Sequence, residues 1–251
     1  MTRPPGRHAG DLPPPFELGA GVLAVFTGRR GGVSRGPFEH LNMSAAVGDD
    51  PAAVAANRHR VAARCGLDPA ALAWMRQVHG ATVRRTEPGR RAPAADAIFT
   101  SAPGLALSVL AADCAPVLIA EPAARLVAAA HAGREGLVAG VVPAVVAALS
   151  AAGGDPRQMH AVIGPAICGS CYEVPQQLRD RAAAVVPAAG CVTAAGTAGI
   201  DIRAGVTAQL AAAGVGRISG DPRCTAETAD LYSYRRDGRT GRLAGLIWLT
   251  S

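Results

Sequence analysis

Apolar and polar positions fall into short blocks along this chain, and the period changes from block to block. Residues 22–27 (VLAVFT) predict a strand, and the GRRGGVSRGP that follows reads as a Gly- and Arg-rich loop. Asp49 and Asp50 then offer an acidic cap with Pro51 at the first helical position, which predicts a helix through AAVAANRHRVAARC that stops at Gly66. Short apolar runs of strand character follow at residues 72–79, 97–99, 105–111, 116–120 and 126–131. Helical spacing returns at 137–151, 176–186 and 203–213, with further strands expected at 161–164, 216–219 and 243–249. Strands and helices are mixed without strict alternation, so the order predicts an α/β chain with a mixed sheet system rather than a simple doubly wound fold.

The length of 251 residues suits one sizeable core, and the expected division is a disordered tail over 1–19 followed by a single domain over 20–251. The tail is basic, broken by prolines and without an apolar run of signal-peptide length. Residues 136–154 are uncharged over nearly the length of a membrane span, but Gly, Ala and Pro143 make a buried helix the better reading, so no membrane partner is expected. Apolar residues are 49% of the chain and aromatics only 4%, so the core must be built from Ala, Val and Leu. All 25 basic residues are Arg and they are spread along the chain, which argues against a nucleic-acid surface despite the net charge of +6. Six cysteines without a repeating framework point to reduced thiols and a cytoplasmic setting.

Three segments place a soft or imidazole ligand at the end of an expected strand: QVHG around His79, AADCAP around Cys114 and AAAHAG around His131. If Pro122, Ala123 and Ala124 form a hairpin loop, paired residue numbers sum to 246, so Ala115 faces His131 and Cys114 lies one position away. A third ligand from His79 would then make an open three-ligand site of the kind catalytic zinc uses. Spacing alone favours the plainer alternative, in which Cys114 is a small buried hydrophobe and the histidines are ordinary core residues. A thiolate nucleophile with its base is a third reading. Copper suits the same donors, but six histidines are too few for laccase-type four-copper chemistry.

Arg29 and Arg30 before Gly31 and Gly32 could bind an anion, and Arg235 or Arg236 in SYRRDG could complete a phosphate site, with solvated turns as the alternative in both places. Asp113, beside Cys114, could orient a ligand or a water, or cap a turn. Cys168 and Cys171 form a C-x-x-C; with Cys65, Cys191 and Cys224 isolated in sequence, a tight loop over packed thiols is expected there rather than a zinc held by four thiolates.

Taken together, ordered motifs over nearly the whole chain resemble the laccase-domain family, once described as multicopper polyphenol oxidases and now as purine nucleoside phosphorylases. They are R-x-GG (Arg29, Gly31, Gly32), LN-x-S (Leu41, Asn42, Ser44), VGDD with Asn57, QVHG with Gln77, Asp96-Ala97, ADC, HAG, GP-x-I with CYEV, and YSYRRDG-x-TGR. The resemblance implies a four-layer α/β/β/α fold with two mixed β-sheets, YfiH-like, and zinc on His79, Cys114 and His131, with copper proposed beside it. It implies phosphorolysis of adenosine, inosine and S-methyl-5'-thioadenosine to free base and ribose 1-phosphate, with adenosine deaminase activity second, and it is compatible with a homodimer. Cys114, His131 and Asp113 become the catalytic candidates, and Arg29, Asn42, Gln77 and Arg235 the substrate and phosphate candidates. Glu173, Asp113 and Asp96 are unranked as general acid or base. A cysteine hydrolase using Cys114 and His131, a copper-dependent polyphenol oxidase, and a non-catalytic zinc protein of cell-wall peptide editing remain alternatives. The chain departs from the family pattern at His131 to Gly136, where it reads HAGREG in place of HAGWRG.

Overall fold

Strands apolar on both faces need cover on both sides. Ala115–Glu121 (β7), Leu126–Ala132 (β8) and Leu243–Leu249 (β13) are buried along their whole length. The computed structural model describes residues 13–250, and in it these strands form the centres of two facing sheets. The first sheet runs β1 (Phe16–Glu17), β2 (Val22–Phe26), β13, β6 (Ala106–Ala111) and β3 (Leu72–Ala73). The second runs β12 (Arg217–Gly220), β9 (His160–Ile163), β7, β8, β5 (Ala97–Thr100) and β4 (Val83–Arg85). Parallel and antiparallel neighbours occur in both.

Side-chain parity assigns the layers. Leu118, Ala120, Val127 and Ala129 point inward and pack with Val22, Ala24, Leu107, Val109 and Ile247 of the facing sheet. Val117, Ile119, Ala128 and Ala130 point outward beneath α3 (Val141–Ala151) and α5 (Ile202–Ala212). On the far side, Val25, Leu246 and Trp248 pack against Val61 and Ala62 of α1 (Pro51–Arg64). The layers are therefore α/β/β/α, as the family resemblance implies. Two shorter helices, α2 (Arg134–Ala139) and α4 (Gln176–Val185), a hairpin of β10 (Gly190–Val192) and β11 (Ala198–Ile200), and a single turn α6 (Tyr234–Asp237) are the remaining strands and α-helices. No helix among the described residues is long and apolar enough to cross a membrane.

Several expectations are corrected. The strand expected at 72–79 ends after Ala73; beyond a bridge from Arg76 to Ala94, the chain turns through His79 in the left-handed region, at φ 60°. The helix expected over 137–151 starts at Arg134 and breaks at Gly140, whose φ of 83° ends α2 and begins α3. Of the expected tail, residues 1–12 lie outside the described residues, while Phe16 and Glu17 pair with Ala24 and Leu23 and Leu18 is buried. The β7–β8 register sums to 247, not 246: Pro116 faces His131, because the turn holds four residues and closes with Arg125 N–H donating to the Pro122 carbonyl. That one-residue slip matters, since it exchanges the faces of every side chain on one strand.

The α1 helix also pins the loop that contains Arg29 to Asn42. Asn57 on α1 is fully buried; its carbonyl accepts the Val33 N–H at 2.9 Å, and its amide reaches Ser34 Oγ and the carbonyls of His40 and Asn42. Asn57→Ala would orphan two or more buried groups at about 1–3 kcal/mol each. The expected loss is about 2–4 kcal/mol in urea unfolding with the m-value unchanged.

Candidate metal centre and cavity

Register and loop geometry bring three distant segments to one end of the second sheet. Because Pro116 faces His131, Cys114 lies two residues beyond that partner and is directed to the same face of the sheet. His79 arrives from the loop after β3. The ligand atoms of His79, Cys114 and His131 lie within 4.8 Å of one another, and the two imidazoles meet edge to face with centroids 4.8 Å apart. Gly133 makes the convergence possible, since a Cβ there would stand 2.9 Å from Cys114 Sγ and 3.4 Å from His79 Cδ2. Gly133→Ala is expected to leave the fold intact and weaken metal binding by roughly tenfold or more, read by competition with a chromophoric chelator.

Asp96, fully buried just before β5, organises the centre. Its carboxylate accepts the backbone N–H groups of Val78, His79 and Gly80, at 2.7 to 3.2 Å. Three successive amides aimed at one anion form a nest, and the left-handed backbone at His79 is what curves them inward. The same carboxylate sits 3.0 Å from His131 Nδ1. With that nitrogen donating, Nε2 keeps its lone pair for a metal, which is the usual arrangement behind a metal-bound histidine. Burial raises the Asp96 carboxyl, but the bonds from His131 and the nest outweigh it and hold it low.

Electrostatics within the centre are strongly coupled. Burial pushes the Cys114 thiol up, yet hydrogen bonds and positive charge from His131 and His79 bring it down to about 6. Burial lowers His131, and Asp96 with Cys114 overrides this to raise it to about 9. Two imidazoles and a thiol this ready to ionise form a donor set that fits a soft or borderline divalent metal. Three protein ligands beside a cavity would leave room for a water or substrate on a metal held there.

That cavity has a volume of about 730 Å³, within the usual range for small-molecule sites. His79, Asp113, Cys114 and His131 line its floor, Met75, Leu110 and Ile167 give it apolar walls, and Tyr172, Arg235 and Arg242 bring a ring and two guanidinium groups. Arg235 lies over Tyr172, 5.2 Å from the ring centre, and donates to the Glu173 carbonyl. A smaller adjoining cavity is shared by Tyr172, Glu173, Arg235 and Arg134, the last of these from the HAGREG segment.

The remaining sequence candidates divide. Asp113 lines the cavity with φ at 93°, but Thr225 Oγ1 and the Arg235 N–H both donate to it at 2.6 Å; the carboxylate that orients His131 is Asp96. Gln77 lines the cavity while both ends of its amide bond the Leu110 backbone, tying the QVHG loop to β6. Arg29 stands outside the lining, bonded to the Glu39 carbonyl and paired with Asp237 at 3.4 Å. Asn42 is fully buried, with its amide bonded to Ser44, Asp49 and the Arg242 N–H. Arg242 and Tyr172 were not singled out in the sequence, although they sit inside the TGR and CYEV motifs.

Comparison with known proteins agrees over nearly the whole chain. The family described as multi-copper polyphenol oxidoreductase laccase matches residues 23–250. A purine nucleoside phosphorylase of Streptomyces coelicolor is 55% identical over 227 residues, covering 89% of this chain and 94% of that protein. One of Corynebacterium glutamicum is 45% identical, covering 91% and 94%. Among solved structures, YlmD of Geobacillus stearothermophilus superposes with a TM-score of 0.87 at 33% identity, covering 92% of this chain and 93% of that one. YfiH of Bacillus licheniformis gives 0.84 at 30% identity, covering 91% and 93%.

Proposed function

This chain belongs to the multi-copper polyphenol oxidoreductase laccase family, and from that membership we propose that it is a zinc-dependent enzyme that cleaves purine nucleosides with phosphate. Its substrates on this reading are adenosine, inosine and S-methyl-5'-thioadenosine, and its products the free base and a ribose 1-phosphate. The observation that supports it most is the placement of His79, Cys114 and His131 on the floor of a cavity whose wall bears Arg235 and Arg242.

A zinc ion held by His79, Cys114 and His131 would supply Lewis acidity to a substrate in the cavity. The chain's own groups do the rest. Arg235 and Arg242 hold phosphate beside the sugar, each charged hydrogen bond contributing about 1.5–3 kcal/mol. Tyr172 and the apolar wall of Met75 and Ile167 take the flat base. A phosphate oxygen bonds to C1' of the ribose as the bond from C1' to N9 breaks, and the departing base keeps that electron pair and gains a proton. The proton is assigned to Asp113, which lines this cavity, or Glu173, which lines the adjoining one. Arg242 takes the position in the cradle that the sequence offered to Arg29. A four-copper laccase centre is not supported, with two histidines at the site and six in the chain.

One observation favours a second reading. With the Cys114 thiol brought down to about 6 and His131 raised to about 9, despite burial, by each other and by Asp96 and His79, the two would pair without metal as thiolate and imidazolium, as cysteine hydrolases use. Product analysis separates the chemistries. Inosine should give hypoxanthine and ribose 1-phosphate only when phosphate is present. Free ribose formed at the same rate without phosphate would mean hydrolysis and would sink phosphorolysis, whereas inosine formed from adenosine would establish the deaminase activity.

A further inference from the structure

A second cluster of metal-type ligands lies outside this cavity. Strands β9 and β12 run parallel, with Ile163 beside Gly220, and a further bridge from Ala166 to Cys224 keeps the two outgoing loops together. One loop contains Cys168 and Cys171, the other Cys224 and Glu227. Their four ligand atoms lie within 4.8 Å of one another, with Cys171 Sγ 3.4 Å from Glu227 Oε1. Cys224 is buried, Cys168 and Cys171 are half-buried, and Glu227 is exposed. The Cys168 carbonyl accepts both the Cys171 and Tyr172 N–H groups at 3.0 Å, so the C-x-x-C is already folded into a tight turn. The tight loop over packed thiols is present, and Cys224, isolated in sequence, is brought by the parallel pairing of β9 and β12 to a pair more than fifty residues away.

We propose that Cys168, Cys171, Cys224 and Glu227 form a second, structural zinc site. Tetrahedral zinc with bonds of about 2.3 Å to sulfur sets its ligand atoms roughly 3.8 Å apart, so the cluster needs shifts of about 1 Å or less to close. Four protein ligands leave no open position, which marks a structural rather than a catalytic site. Three thiols converge on one carboxylate, with Cys171 Sγ donating to Glu227 Oε1 and Cys224 Sγ accepting the Cys168 N–H, each at 3.4 Å. A divalent cation would take the thiols as thiolate ligands together with the carboxylate. Arg236, ion-paired with Asp237, donates to the carbonyls of Thr225, Ala226 and Thr228 and so braces the loop that presents Glu227.

The position gives the site a task. Ile167 and Tyr172, which line the cavity, flank the C-x-x-C, and Thr225, next to Cys224, donates to Asp113 beside Cys114. A metal here would staple two loops into one wall of the cavity. This inference is independent of the proposed reaction.

The test is metal content after expression with added zinc, on wild type, Cys171→Ser, His131→Ala and the double variant. Wild type should hold about two zinc ions per chain, each single variant about one and the double variant none. Cys171→Ser should also lower the melting temperature and lose its dependence on added zinc at that site. If Cys171→Ser does not fold, Glu227→Gln at the exposed ligand serves instead, with one of the two ions released faster to a chelator. A wild type with a single zinc that His131→Ala removes entirely overturns the proposal. So does an intact mass lower by two hydrogens, which would mean a disulfide in place of the metal.

Discussion

His131→Ala is expected to yield folded protein with one metal ion fewer per chain and phosphorolysis slower by about 10³-fold or more. The magnitude follows from losing a Lewis acid that contributes several kcal/mol, at 1.36 kcal/mol for each factor of ten. His131 is nearly fully buried and braced by Asp96, so its removal also leaves that carboxylate short of one partner. His79→Ala guards against a trivial outcome. His79 is exposed, its ring can be removed without opening the core, and its backbone N–H bond to Asp96 survives. Both variants should show the same paired loss of metal and turnover. Metal lost with turnover intact in either one would separate the centre from the reaction.

The second large effect is expected at Asp96, which never reaches the cavity. Asp96→Asn keeps the shape and removes one acceptor. If the new amide faces Gly80, two donors oppose each other in the nest, at a cost of about 1–3 kcal/mol. If it faces His131, the imidazole must shift its proton to Nε2 and give up the lone pair that would bind metal. Either way metal affinity should fall by roughly 10–100-fold, the usual size of such effects. Raising the zinc concentration should restore turnover to Asp96→Asn but not to His131→Ala. An Asp96→Asn protein with wild-type metal affinity would contradict the role given to the nest.

The helices and central strands were legible because their signals are local. Asp50 caps α1 and accepts the Ala52 N–H, as the acidic pair before Pro51 predicts. β7, β8 and β13 are apolar along their length because a sheet covers one face and helices the other. What failed were features set by long-range geometry. A three-residue turn at 122–124 was plausible locally, yet the left-handed backbone of Arg125, at φ 52°, lengthens the turn and shifts the register. A sum of 246 turns Cys114 and His131 to opposite faces, whereas the observed 247 turns both to one. The break at Gly140 was hidden in an unbroken apolar run that reads equally well as one helix.

The candidate site follows the same division. His79, Cys114 and His131 could be chosen because few residue types bind metals and each sat beside a glycine or proline at the end of an apolar run. Asp96 could be ranked no higher than Asp113, because nothing in an Asp-Ala pair reveals three amides arriving from a loop sixteen to eighteen residues earlier. Cys224 is isolated in sequence for the corresponding reason, since its partners lie on the loop that leaves β9, the parallel neighbour of β12.

The most direct test of the central claim is to strip the purified wild type of metal, follow phosphate-dependent release of hypoxanthine from inosine, and then add zinc back. Turnover should fall to background on stripping and return with zinc, and alkylation of Cys114 in the stripped protein should prevent the return. Full turnover in the stripped protein, lost only when Cys114 is alkylated, would contradict the account and make Cys114 a nucleophile instead of a ligand.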